Sequence, residues 1–521
     1  MIKVINRLLA VIGAFVVVAM LAAWGFSQWQ KSSLVKADEA PSYAGTNAAP
    51  EFPSGMDWLN TGGRELSVEQ LNGKIILLDF WTYGCINCLH VIPDLKRLEE
   101  KYAEELVVIG VHSAKFERES TTSGIRRFVQ RYQLVHPVVN DKDHEIWRSY
   151  GVRAWPTLVV IDPAGNIVGQ VSGEGNYDLL DSVIGGLTDE FEIDRTALSL
   201  QVEERPTGQL SFPGKVLADS KNDRLFIADT GNHRIVVAGL DGQVQHVIGG
   251  ELAGFADGTF AEARFRLPQG MTLLDKDTLL LADTENHSIR RIDLAAETVS
   301  TLAGNGRQAF MFEDIADPDD ALNSPWDLLL VGDTVYVAMA GQHQVWSLDP
   351  ASGRLTAFAG SRREELKDGK LLSAGLNQPS GLTTDGESLF IADSEASAIR
   401  SADLGENGRL HTLVGTGLFD FGDIDGRGRK VRLQHPLGVA WQEGAIYIAD
   451  TYNNKIKRLD PDKQKVVSLT PGGQTLDEPG GLSIAGQDVY IADTNNHRIR
   501  ILDLKSGELS DFTLNDPRDL L

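Results

Sequence analysis

The chain has 521 residues, with 49 Lys and Arg against 73 Asp and Glu, a formal charge of −24 at pH 7. That length exceeds one compact domain and calls for two or three. The acidic balance argues against nucleic acid as a partner, because a phosphate backbone needs clustered cations. The only two cysteines, Cys85 and Cys88, exclude a disulfide-stapled scaffold and a four-cysteine zinc site.

Residues 8–26 form an uncharged apolar run of 19 residues, close to the roughly 20 that a helix needs to span a bilayer core. Lys3 and Arg7 precede it, and Trp24 and Trp29 lie where an interfacial belt would be. The run reads as a single-pass transmembrane anchor within residues 1–30, with the remainder on the extracytoplasmic (periplasmic) side. A cleaved signal peptide is the other reading, although no clean A-x-A site follows. Residues 31–55 are small, polar and proline-bearing and read as a linker.

Residues 74–81 (KIILLDFW) predict a buried parallel strand. Thr82-Tyr83-Gly84-Cys85-Ile86-Asn87-Cys88 follows, and then Leu89, Ile92, Leu95 and Leu98 recur at helical spacing. Cys85 therefore falls at a helix N-terminus, where unpaired N–H groups favour a thiolate, and Cys88 lies one turn in. A strand over 106–112, a helix over 122–132, a strand within 152–161, a turn at 162–166 and a last strand complete an α/β alternation.

These residues resemble the thioredoxin superfamily, and its membrane-tethered, extracytoplasmic branch most. The resemblance implies catalytic roles for Cys85, Cys88, Asp79 and Pro156, and a substrate groove at Trp81, Trp155 and Thr157. Asp79 matches the buried carboxylate that moves protons for the resolving cysteine. Trp155-Pro156-Thr157 matches the cis-proline loop, and Pro93 the proline that kinks the active-site helix. Two departures stand out: Gly84 replaces the usual Trp, and Ile86-Asn87 replaces Gly-Pro. The intervening dipeptide tunes reduction potential, so reductase and oxidase directions both stay open. Other readings are a passive disulfide, a copper carrier using the cysteines with His90 or His112, and a peroxidatic site beside the insert at 113–139. Haem attachment fails, because Leu89 occupies the position that needs His.

From residue 205 one phrase recurs, as LFIADT, LLLADT, VYVAMA, LFIADS, IYIADT and VYIADT. Asp229, Asp283, Met339, Asp393, Asp450 and Asp493 repeat at propeller-blade spacing, and most units open on a Pro–Gly segment. Three linkers carry Asp-Gly pairs, at Asp257, Asp368 and Asp425. The pattern resembles NHL repeats and implies a six-bladed propeller over 205–521. The order of the two domains looks like the NHL repeat-containing protein 2 family. The repeated Asp reads as a turn residue that satisfies backbone N–H groups. His233, His287, His343 and His497 occupy one repeat position, and a metal-binding ring of them is a minor alternative, as in a zinc-dependent propeller lyase.

The expected architecture is therefore multidomain: a transmembrane helix, an α/β thioredoxin-like fold over 56–190, and an all-β six-bladed propeller. The function expected is a membrane-tethered thiol–disulfide oxidoreductase acting on protein thiols or disulfides. No cofactor or metal is expected. A membrane electron donor would serve the dithiol, and a protein or glycan ligand the propeller. A non-catalytic propeller scaffold with a vestigial thioredoxin domain is the alternative. Residues 197–202 and 509–514 both qualify as the strand that closes the ring.

Overall fold

A computed structural model describes residues 42–516, apart from 251, 311, 316, 406 and 471–475. Its first unit is built on β1 (Asn47–Ala48), β2 (Trp58–Leu59), β3 (Ile75–Trp81), β4 (Leu106–His112), β5 (Val138–Asn140), β6 (Thr157–Ile161) and β7 (Asn166–Ser172). They form one sheet in the order β1-β7-β6-β3-β4-β5-β2. All of β3 is buried, as a strand apolar on both faces must be when layers cover both sides. β4 runs parallel to β3 and β6 antiparallel to it. Four helices attach: α1 (Ile86–Lys101), α2 (Thr122–Tyr132), α3 (Glu145–Ser149) and α4 (Tyr177–Glu190). Leu95 and Leu98 of α1 pack with Leu180 and Ile184 of α4 over Ile75 and Leu77. Thr121 caps α2 by accepting the Gly124 N–H.

The strand expected within 152–161 is shorter than that range. Only Thr157–Ile161 pairs, because Arg153 to Pro156 turn through a loop and Pro156 has no N–H to give a ladder. The apolar run at 8–26 lies outside the described residues. Among the described residues no helix is long and apolar enough to cross a membrane.

The second unit is a ring of six antiparallel sheets, each contiguous in sequence: residues 216–249, 271–303, 325–359, 379–414, 438–468 and 479–512. The Asp-Gly linkers add a short outer strand to blades 2, 4 and 5. There Asp257 pairs with Arg290, Asp368 with Arg400 and Asp425 with Lys457. Residues 509–512 form the outer strand of blade 6, and Asn515 then bridges Gln243 and exchanges backbone hydrogen bonds with Gly242 and Val244 of blade 1. The other candidate segment leaves the ring, since Gln201 N–H donates to Asn60 of the first unit.

The repeated aspartates are turn residues. Asp229 accepts Ser211 N–H and pairs with Arg234, while Asp450 accepts Gln434 N–H and pairs with Lys457. The four repeated histidines do a related job with their Nδ1 atoms. His233 accepts Leu267 N–H, His287 accepts Ser324 N–H, His343 accepts Gln378 N–H and His497 accepts Phe212 N–H. Ser397 and Asn454 serve the remaining two junctions with side-chain oxygens. Each bond joins one blade to the next, and His497 to Phe212 joins the last to the first.

Candidate functional site at the face between the domains

Cys85 is the N-cap of α1, with extended backbone, and Cys88 N–H and Leu89 N–H both turn back onto its carbonyl. Cys85 is half-buried and Cys88 buried; both are free thiols, hydrogen-bonded to each other. Burial, reinforced by that bond and by the nearby Asp79 carboxylate, pushes the Cys88 thiol well above its ordinary range. Asp79, on β3, is itself buried, and burial pushes it up to about 7 against the opposing pull of His136. One of its oxygens has no hydrogen-bond partner among the described residues. The Trp155–Pro156 peptide bond is cis, with Pro156 buried and Trp155 half-exposed against Trp147. Thr157 begins β6, and its hydroxyl donates to Ala154 O. Trp81 ends β3 beneath the dithiol loop, packed on Phe128 and edge-on to His112. Its indole lies so near β4 that a Cβ at Gly110 would come within 2.8 Å of the ring nitrogen.

Residues beyond these complete the site. The Glu119 carboxylate accepts Gly84 N–H, Lys115 N–H and Phe116 N–H, and the Thr82 hydroxyl donates to it, so it holds the loop entering α1. His112 is stacked on Tyr83, and burial pushes it down to about 3. His90 bridges Glu174 and Ser324. Among the described residues no three His, Cys, Asp or Glu converge as a metal site.

The propeller forms the other wall. Each of its six inter-blade junctions carries a residue with positive φ just before a proline: Phe212, Leu267, Ser324, Gln378, His435 and Glu478. Left-handed backbone is strained for such residues and persists only where its surroundings fix it. Four of the six touch the first unit. Ser324 meets His90 at 2.8 Å, and Gln378 Oε1 accepts Ile86 N–H at 3.0 Å. His435 packs on Phe116, and Glu478 accepts the Tyr83 hydroxyl at 3.2 Å. Buried Lys115 pairs with buried Glu395, and Arg118 pairs with Asp477 and Glu478.

This wall explains why Gly84 stands where thioredoxins place Trp. A Cβ there would meet Glu119 Oε1 at 2.8 Å, Tyr452 Oη at 3.1 Å and His435 Cε1 at 3.2 Å. It also explains the one irregular repeat. Blade 3 has Met339-Ala340 in place of Asp-Thr. Ala340 and Trp326 belong to one apolar cluster with Cys88 and Leu89. Sequence reasoning passed over Glu119, Gln378, His435 and Tyr452; the available signals were the two departures, Gly84 and Met339-Ala340.

Known proteins resemble the chain at both levels. A thioredoxin-like family model matches residues 72–167, and an NHL-repeat model matches residues 476–502. The thiol-disulfide oxidoreductase ResA of Bacillus thuringiensis is 28% identical over 188 residues, covering 35% of this chain and 98% of that protein. Protein SUPPRESSOR OF QUENCHING 1, chloroplastic, of Arabidopsis thaliana is 43% identical over 473 residues, covering 84% of this chain and 44% of its own length. Human NHL repeat-containing protein 2 is 42% identical over 489 residues, which cover 84% of this chain and 67% of that protein. Carrying both domains in that order at that identity, the chain belongs to the NHL repeat-containing protein 2 family.

Proposed function

We propose that the chain is a thiol–disulfide oxidoreductase whose reacting pair is Cys85 and Cys88. The observation that carries this reading is the asymmetry of the two sulfurs. Cys85 is half-exposed at a helix N-terminus, while Cys88 is buried beside a carboxyl that burial holds near neutrality. In the reducing direction Cys85 attacks a substrate disulfide as thiolate and expels one substrate thiol. Asp79 then takes the Cys88 proton, directly or through one water. Cys88 attacks the Cys85 sulfur and expels the second substrate thiol. The substrate gains two electrons and two protons, and the pair closes to a disulfide; the reverse sequence donates that disulfide. The substrate reaches Cys85 past Trp155, where Arg153 and Ala154 are exposed, since the propeller covers the opposite side. A protein segment fits this approach better than a deep small-molecule pocket does. The family resemblance and the ResA likeness support the same chemistry.

The test is a glutathione redox titration of the full-length protein, read by thiol alkylation. A two-thiol transition is expected, with Cys88→Ser holding a glutathione mixed disulfide on Cys85 and Cys85→Ser holding none. A pair that never exchanges would defeat the reading. We further propose that residues 8–26 anchor the chain with both domains on the extracytoplasmic face. The full-length protein should then resist alkaline carbonate extraction and be cut by protease added to spheroplasts. Recovery in the soluble fraction would refute the anchor.

A further inference from the structure

The amides of the first turn of α1 are where a thiolate on Cys85 draws its stabilisation, because they carry the partial positive charge of the helix N-terminus. Cys88 N–H and Leu89 N–H are already committed to the Cys85 carbonyl. Ile86 N–H, the amide next to the sulfur-bearing residue, is met from outside the domain by Gln378 Oε1 at 3.0 Å. Gln378 is 2% exposed and belongs to the strained pre-proline ring, with φ of 60°. Its N–H is fixed by His343 Nδ1, and its carbonyl accepts the Ser380 hydroxyl. The backbone that aims this carboxamide is therefore set by blades 3 and 4, independently of the first unit.

We infer that the propeller is a working part of the redox centre, and that Gln378 is the positioning residue through which it acts. The inference rests on the oxidoreductase reading above. The negative end of the carboxamide dipole sits against the helix N-terminus. There it cancels part of the field that would favour a thiolate and occupies a donor the sulfur could otherwise use. Docking thus biases the pair toward the disulfide, and any movement of blade 4 away from α1 biases it toward the dithiol.

The experiment is the glutathione equilibrium of the full-length protein, in which the pair passes two electrons to oxidised glutathione and yields two reduced glutathione molecules. It is measured for wild type, Gln378→Leu, Gln378→Glu and Arg118→Met. Leucine removes the acceptor and keeps the bulk. The constant for disulfide formation should fall on the order of threefold to thirtyfold, the range of single interactions at a helix terminus. The ultraviolet thiolate titration of Cys85 should move to lower pH in the same variant. Glutamate keeps the acceptor and adds a full negative charge, so both readouts should move the opposite way. Arg118→Met removes an ion pair at a different junction, to Asp477 and Glu478, leaves Gln378 on Ile86 N–H, and should change neither readout comparably. Equal constants for wild type and both Gln378 variants would overturn the inference and leave the oxidoreductase reading intact. Shifts of the same sign for leucine and glutamate, or an equal shift for Arg118→Met, would also overturn it. A wild-type pair that does not exchange with glutathione would remove both.

Discussion

Asp79 shows how one buried carboxyl connects stability to chemistry. Its folded form keeps a proton up to about pH 7, while the unfolded chain releases it near the ordinary 3.8. Below both values the two states are protonated and the group costs nothing. Between them the folded state holds a proton the unfolded state has lost, so this group's contribution to stability falls as pH rises and is least favourable above 7. In urea unfolding, Asp79→Asn should gain on wild type by up to about 4 kcal/mol between pH 4 and pH 8. Turnover of a disulfide substrate by the same variant should fall tenfold or more, because proton transfer at Cys88 is lost. A pH-independent difference would place the carboxylate outside the buried environment described. The thioredoxin resemblance points to Asp79 as a buried carboxyl beside the dithiol, and its burial agrees. Glu119 was not legible, because nothing in the local sequence says that a carboxylate 35 residues after Gly84 folds back to hold its N–H.

At the scale of the elements, the junctions between blades behave as one repeated device. His233, on a tight turn of blade 1, accepts Leu267 N–H of the next junction through Nδ1, and burial pushes it down to about 4. A histidine held neutral in this way contributes fully above its unfolded value of 6.5. The contribution is lost as pH falls toward 4, because the unfolded chain then binds the proton more readily. Blade 5 performs the same task with Asn454, which does not titrate. His233→Asn should therefore keep the hydrogen bond and remove the titration. Relative to wild type it should gain up to about 3 kcal/mol on going from pH 7 to pH 4, measured by urea unfolding at each pH. His233→Ala, which strands the Leu267 N–H, should cost about 1–3 kcal/mol at pH 7. The turn role of the repeated Asp could be read from Asp followed by Asn, since those side chains close turns locally. The histidine contacts could not, because each spans 34 or more residues to the next blade.

Across the whole molecule, the two domains are joined by a surface that buries a charged pair. Lys115 and Glu395 are 7% and 4% exposed in their side chains. Removing one partner of such a pair leaves a lone buried charge and costs about 3–5 kcal/mol, while replacing both with apolar groups costs far less. Lys115→Met and Glu395→Leu should each raise hydrogen exchange at Ile86 and speed Cys85 alkylation, and the double variant should restore much of the protection. Additive effects would mean the pair is not coupled across the interface. The domains themselves were legible: α/β alternation around the cysteines and a repeat at blade spacing specify two folds. Their docking was not, because no periodicity records which face of one fold meets another. It was written only as exceptions, in Gly84 and in Met339-Ala340. The six pre-proline residues give those exceptions a wider meaning. Their backbones are equivalent, yet Phe, Leu, Ser, Gln, His and Glu stand at the six junctions. The four that meet the first unit, Ser324, Gln378, His435 and Glu478, thus act as address labels. A duplicated, deleted or transposed blade could still complete a propeller, but it would present the wrong sequence of labels to the dithiol. The pairing therefore ties blade order to the first unit in a fold whose own repeat geometry would tolerate shuffling.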